Sequence, residues 1–402
     1  MIRARGGLLV ATCMVSPALT GGAMLTAGAM LTAGAMLTGG AMLTAVAMLT
    51  GGAMPLAAQD SQFGIRGLGT PGRFETVRAR STGGAFAPFD PMSPLVEASL
   101  ADLPQLTATA MGGTSYRAAE AAGATTSLRA SRFPVMGLAG PVFGHLVLGG
   151  GFTTYLDRTW DVTLRDSMLL RGTMQPYSDE LTSDGGVADL RLAAALRVGS
   201  RFALGAAVHV LSGSTRETAG RTFDDTAYHA IKQSDEVRYD GVGVSGSALL
   251  DLLPALRLTV FARSDNRLRA RLGDVVTTQT DLPNTVGGGL RWAPSPSVRL
   301  AGALTRRTWA TAGAGAFNTL SWSAGLEVGS GFSPLRLGAR GGQLPFGAGA
   351  AAPTELGLAA GTGRAFARGR ALVDVGLEHL ERKGGGLSER VWTFLLGLTV
   401  RP

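Results

Sequence analysis

His209 and Ser212 come nearest to a nucleophilic pair, since a base three positions from a hydroxyl could activate it for ester hydrolysis. No orienting acid is evident for them in the sequence, and neighbouring strand or rim positions carry such residues by chance, so no enzyme is expected. His145, His229 and His379 have no metal-ligand spacing with each other or with His209. Neither a metal site nor a cofactor is expected. Gly67-Leu-Gly-Thr-Pro-Gly72 has the spacing of a dinucleotide-binding turn, but no strand precedes it and Pro71 stands where the helix would open. Thr222-Phe-Asp-Asp225 could attract calcium at a loop tip, or be a solvated acidic loop. The other charges stand singly at alternate positions: Asp189, Arg191, Arg197, Arg257, Arg299, Glu327, Arg336, Asp374 and Glu378. Scattered in this way they form no basic stripe, and no nucleic acid partner is expected.

Apolar residues alternate with these charges. Leu190, Leu192, Ala194, Leu196 and Val198 interleave with Asp189, Arg191, Ala193, Ala195 and Arg197. After Gly199-Ser200, Phe202, Leu204, Ala206, Val208 and Val210 interleave with Ala203, Gly205, Ala207 and His209. Period two puts each set on one face of a strand, which predicts a hairpin of a membrane-spanning β-barrel with lipid outside and the charges inside. A one-residue slip would turn Arg191 and Arg197 into hydrocarbon, at about 2–4 kcal/mol for each arginine near the midplane. Leu256 to Ala262, Trp322 to Val328, Val373 to Leu377 and Trp392 to Val400 repeat the pattern.

Composition agrees: 45% of the 402 residues are hydrophobic and only 16% charged, yet no uninterrupted apolar run after residue 58 is long enough for a spanning helix. Fourteen strands are predicted, at 104–116, 124–139, 143–165, 186–198, 201–213, 237–252, 255–264, 284–293, 297–309, 318–330, 334–342, 354–364, 369–381 and 388–400. Residues 143–165 could be one strand bent near Asp157 or two short ones, and 266–278 could extend the wall beyond the membrane. Short turns are expected at Gly140-Pro141, Gly199-Ser200, Leu253-Pro254, Pro294-Ser-Pro296, Gly331-Phe-Ser333 and Phe366-Ala367. Long polar connections are expected at 166–185, 214–236, 265–283, 310–317, 343–353 and 382–387. Short turns at one rim and long loops at the other put both termini on the periplasmic side of a bacterial outer membrane.

Arg3 and Arg5, then an uncharged run to Ala58, read as a secretory signal over 1–58 with cleavage after Ala58; a retained membrane anchor is the alternative. Its length comes from a six-residue Ala-Met-Leu-Thr repeat starting at Ala23, whose methionines point in three directions around a helix and so build no face. Cys13, the single cysteine, excludes an intramolecular disulfide. Removing Arg3 and Arg5 lowers the net charge from +8 to +6. Residues 59–103 are interrupted by Gly64, Gly67, Gly69, Gly72, Gly83, Gly84, Pro71, Pro88, Pro91 and Pro94. So long a structureless linker is uneconomical, and a plug inside the barrel 104–402 is the expected placement.

Ala79-Arg-Ser-Thr-Gly-Gly-Ala-Phe86 followed by Phe89-Asp90-Pro91-Met-Ser93 resembles the glycine-rich hatch of the long-chain fatty acid transporter-like family of outer-membrane proteins. Asp189 to Arg197 with Leu204 to Gly213 resembles an early hairpin of that family, and Leu282-Pro283, Gly287 to Trp292 and Thr308-Trp309 resemble a later one. The resemblance spans nearly all of 62–402. It implies a fourteen-stranded barrel occluded by an N-terminal hatch, and passive passage of hydrophobic, fatty-acid-like or hydrocarbon ligands, often through a sideways gap in the wall. The gate candidates are Arg80, Gly83, Gly84, Phe86 and Asp90; Arg80 and Asp90 would tie the hatch to lumen charges, Asp90 being equally readable as a turn residue before Pro91. The implied partners are outer-membrane lipid, a hydrophobic small molecule and, during insertion, the barrel-assembly machinery. Val96-Glu97-Ala98 replaces the family's usual Asn-Pro-Ala, and Pro402 replaces a terminal aromatic, so strand recognition rests on Trp392 and Phe394. The alternative is a barrel serving protein secretion, as related shuttle barrels do.

Overall fold

A computed structural model describes residues 61–402 other than 74, 122, 123, 331, 332 and 348. The expected signal and its repeats lie outside the described residues, as does most of the expected turn at Gly331-Phe-Ser333. Among the described residues the chain is a β-structure with a few helical turns.

A two-residue strand β1 (Thr70–Pro71) comes first, then β2 (Thr107–Ala121), β3 (Ala124–Phe143), β4 (Leu146–Asp157), β5 (Trp160–Leu170) and β6 (Thr173–Val198). Next are β7 (Phe202–Phe223), β8 (Ile231–Leu253), β9 (Leu256–Asp265), β10 (Arg267–Leu272), β11 (Val275–Asp281) and β12 (Asn284–Ser295). The last are β13 (Val298–Arg307), β14 (Thr319–Val328), β15 (Leu335–Gln343), β16 (Thr354–Phe366), β17 (Ala371–Gly384) and β18 (Leu387–Val400). β4 and β5 both pair with β6, so 143–165 is one wall strand broken at Arg158-Thr159. In the same way β9 continues into β10 against β8, and β11 into β12 against the β10–β9 strand. With β18 paired to β2, the wall is a closed antiparallel barrel of fourteen strands.

Several expected connections differ. Residues 166–185, 214–236 and 265–283 are largely strand: β6 begins at Thr173, β7 runs to Phe223, and β10 and β11 form a hairpin. In these stretches the apolar alternation stops while the backbone ladder continues, helped by cross-strand pairs such as Arg221 on Asp179 at 2.6 Å. The expected long connection at 382–387 is a tight turn with positive φ at Gly385 and Gly386. The turn expected at Gly140-Pro141 lies at Gly144-His145. Pro141 fits in β3 because β2 has already ended, with Thr107 opposite Ala139, which leaves one side of β3 unpaired.

The faces follow the alternation. Leu192 is 75% exposed and Phe394 57% exposed, whereas Asp189 and Glu378 are buried inside the wall. Leu192→Arg is therefore expected to cost about 2–4 kcal/mol of barrel stability in lipid vesicles; a denaturant titration showing no loss would mean that this face does not meet hydrocarbon.

The ladder between β3 and β4 holds from Phe143 opposite Leu146 to Val135 opposite Thr153 and then stops. Pro134, which has no N–H to donate, is the next residue of β3, and the β2–β3 register shifts at the same level between Met111 and Gly113. From there β3 pairs only with β2 while β4 stays with β6, so the wall parts. β1 lies on the freed edge, Thr70 opposite Asp157 and Pro71 opposite Leu156.

Candidate functional site

Residues 61–103 touch inward-facing residues on strands all round the ring. The short helix Val77–Arg80, capped at its start by the Thr76 hydroxyl, meets β16, β17 and β18. The turn Ala87–Phe89 meets β12, and the turn Glu97–Asp102 meets β3, β4, β6, β7 and β8. Wall glycines permit this approach. A Cβ on Gly325 would come within 2.6 Å of the Thr82 carbonyl oxygen, and one on Gly361 within 2.1 Å of the Ser81 hydroxyl. A Cβ on Gly205 would come within 2.3 Å of the Ala98 nitrogen. On the segment side, Gly83 and Gly84 take φ of 69° and 97°, the left-handed turn that ends the helix. Phe86 packs beneath with Ala85, Phe89 and Ala301.

Two ionic clusters bind this segment to the wall. In the first, Arg78 donates two bonds of 3.0 Å to Glu327, which also accepts from Arg299 at 2.7 Å and Arg336 at 2.9 Å. Arg336 continues to Asp374 at 2.5 Å. Arg80 and Arg73 converge on Glu378, Arg73 at 2.6 Å. Burial opposes the charges on Arg73 and Arg78, but Glu378 and Glu327 outweigh it and raise both guanidinium groups above their ordinary range. Burial likewise works to raise the Glu75 carboxyl, and Arg73 with Arg340 and Arg80 more than offsets it, leaving it below the usual carboxylate range.

The second cluster centres on Glu97, which accepts from the Ser245 hydroxyl at 2.6 Å and the Ser247 hydroxyl at 2.8 Å, with Arg191 at 3.9 Å. His209 links Ser245, 2.8 Å from Nε2, to Asp189, 2.9 Å from Nδ1. Asp189 also receives Arg263 at 2.6 Å. Asp102 is held by Arg197 and Arg257, and Asp251 accepts from Arg257 at 2.5 Å. The orienting acid missing from the sequence is thus Asp189, and the hydroxyl beside His209 belongs to Ser245, not Ser212. Because Ser245 donates to Glu97, the group of four ties segment to wall. Glu97→Ala removes the acceptor of the buried Ser247 hydroxyl and the half-buried Ser245 hydroxyl, each bond to a carboxylate being worth about 1.5–3 kcal/mol. Amide exchange over 97–102 is expected to quicken about tenfold or more; unchanged exchange would deny Glu97 this anchoring part.

Toward the rim with the longer connections the inward face turns apolar. Leu156, Val187, Leu211, Tyr239, Leu268, Leu282, Trp309 and Phe346 form one buried cluster, with Leu68 of the N-terminal segment packed against it. Gly67, at φ 59°, lies so close under Phe346 that a Cβ would meet the ring at 2.3 Å. The glycines of Gly67-Leu-Gly-Thr-Pro-Gly72 therefore serve close packing. Inside the parting between β3 and β4 is a cavity of about 100 Å³ bounded by Pro71, Pro134, Thr154, Leu380 and Val391, with Arg73, Arg80, Arg117 and Arg382 also in its lining.

Asp189, Arg191, Arg197, Arg257, Arg299, Glu327, Asp374 and Glu378 are all engaged inside the wall. Arg80 meets the wall, but Asp90 does not: it accepts from Thr76 at 2.5 Å and from the Met92 amide at 3.2 Å, both within the segment. Asp90 is held as a turn residue, since the chain reverses at Pro91 and carries its carboxyl back over the helix start. Arg73, Arg78, Glu97 and Asp102 were not among the candidates. Unpaired charges in so glycine-rich a stretch were the available signal.

No family model and no curated protein matches the sequence. Solved structures match in fold. The monoaromatic hydrocarbon channel CymD is 15% identical at a TM-score of 0.52, covering 83% of this chain and 98% of that one. A Pseudomonas aeruginosa FadL homologue is 11% identical at 0.58, covering 84% and 100%. The P. putida toluene transporter TodX is 12% identical at 0.55, covering 82% and 99%. What is shared at these identities is the barrel fold.

Proposed function

We propose that this chain is a passive outer-membrane channel for hydrophobic compounds, with residues 59–103 as its hatch, 76–100 as the gating part, 104–402 as the barrel, and 1–58 as a removed signal. The parting of β3 from β4 beside β1 carries this reading. An apolar solute crossing straight through the lumen would have to displace paired charges at Glu327, Glu378 and Glu97. Stripping water and partners from such groups costs several kcal/mol each, whereas leaving sideways through the wall returns the solute to lipid. Entry is favoured by the apolar cluster near Trp309 and Phe346, where burial contributes about 25 cal/mol per Å². The names of the fold neighbours, a toluene transporter and a monoaromatic hydrocarbon channel, support this ligand class. The expected partners are outer-membrane lipid, the hydrophobic ligand, and the barrel-assembly machinery during insertion.

Organic extraction of the purified barrel followed by mass spectrometry tests the reading. A defined co-purifying lipid or hydrocarbon, together with faster uptake of that compound into vesicles carrying the barrel, is the expected result. An empty barrel that captures secreted proteins would replace it with a secretion role.

A further inference from the structure

We propose that a cavity between the N-terminal segment (Thr70 to Arg73, Glu75, Gly83 and Gly84) and strands β13–β17 is a binding site for a tetrahedral oxyanion, a phosphate or sulfate group. The site is independent of the channel reading, because binding to it is measured without flux.

The cavity has a volume of about 120 Å³, and its lining includes four arginines, Arg73, Arg307, Arg340 and Arg382, against two carboxylates, Glu75 and Glu355. Both partners of Glu355 are already among them: Arg340, and Arg382 at 2.7 Å. Among the described residues Arg307 has no ion pair. Trp309, only 2% exposed, begins the short helical turn Trp309–Ala312 that follows β13, and its indole N–H has no hydrogen-bond partner among the described residues. The same is true of Nε and Nη2 of Arg73 and Nε of Arg340. One acid opposes them, Glu75, whose Oε2 is 3.4 Å from Arg73 Nε in an ion pair without a hydrogen bond. Buried donors without acceptors are costly, and four on three side chains in one cavity call for an acceptor that serves several walls. The hydroxyls of Thr305, Ser321 and Ser323 also line it.

The donor set selects among anions. A carboxylate presents two oxygens in one plane, while a phosphate or sulfate presents three or more in different directions, which suits arginines on separate elements. A neutral hydrocarbon offers none. The surplus positive charge of the lining matches a net negative guest, and the cavity holds a small oxyanion with a few waters rather than a long chain.

Calorimetric titration of the full detergent-solubilised barrel, at ionic strength fixed with chloride, tests this with inorganic phosphate, phenyl phosphate and acetate. Saturable binding of phosphate or phenyl phosphate is expected, with Arg307→Gln and Trp309→Phe each weakening it about tenfold. Arg306→Gln, on the outward face of the same strand, is expected to leave it unchanged. Phenyl phosphate binding more tightly than phosphate identifies the group as the head of an organic molecule, and the reverse order identifies a free anion. Trp309→Phe removes the N–H together with the pyrrole ring, so both variants are first shown to keep the parent's heat-modifiable migration and denaturation midpoint, and Arg307→Gln, outside the buried apolar cluster, carries the test if Trp309→Phe does not. Absence of saturable binding, acetate binding as tightly as phosphate, or full affinity in both variants overturns the proposal.

Discussion

Gly338→Val is expected to turn a closed barrel into a leaky one. A Cβ on Gly338 would sit 2.0 Å from the carbonyl carbon of Thr82, 2.3 Å from its oxygen and 2.4 Å from the Gly83 nitrogen. All three are backbone atoms, so no side-chain rotation relieves the overlap. Within the wall the change is benign: Gly338 has no positive φ, lies in β15 opposite Gly325, and valine is a good strand former. The barrel therefore inserts while the segment behind it has to lift. Single-channel conductance, and entry of a small hydrophilic dye into vesicles, are expected to rise by an order of magnitude or more. Gly302→Val is the control, since its Cβ would have nothing nearer than the Ser323 carbonyl oxygen at 3.6 Å. A Gly338→Val barrel as tight as the parent, with the same heat-modifiable migration, would mean that the segment does not close the lumen.

Alternation was enough to read the wall, because a strand's two faces are decided locally. Leu190 and Asp189 are adjacent in sequence and necessarily opposite in space. The break at Arg158-Thr159 defeated the same reasoning, since a strand interrupted there and two separate strands look alike until both halves are seen to pair with β6. The hairpin extensions at 166–185, 214–236 and 265–283 were read as loops because their faces have no apolar side to mark. Partner choice inside the lumen was not legible at all. Glu97 meets Ser245 and Ser247 across about 150 residues, and Arg78 meets Glu327 across 249. Those separations are set by ring closure and by the path of a segment without periodicity. His209 illustrates the limit: three residues of sequence pointed to Ser212, while strand pairing placed Ser245 diagonally across on β8.

Loss of Glu327 is expected to be the most destabilising single change in the lumen, and its asymmetry with Arg78 is what makes it informative. The carboxylate is 2% exposed and accepts from three guanidinium groups: Arg78 on the segment, Arg299 on β13 and Arg336 on β15. Glu327→Ala leaves three cations together, with Asp374 bonded to Arg336 and Asp90 near Arg78 as the remaining acids among the described residues. Removing one side of a buried ionic group typically costs about 3–5 kcal/mol, most of it from the charges left behind. Arg78→Ala, in contrast, leaves Glu327 with two arginines, and Arg78 is itself a quarter exposed, so about 1–2 kcal/mol is expected. If the segment closes the lumen through this contact, Arg78→Ala loosens it while the wall stays intact, and Glu327→Ala weakens wall and closure together. Chemical denaturation in vesicles, read beside dye leakage, separates the two. Equal destabilisation by the two variants would mean that Arg299 and Arg336 do not depend on Glu327, and that the segment contact alone carries its energy.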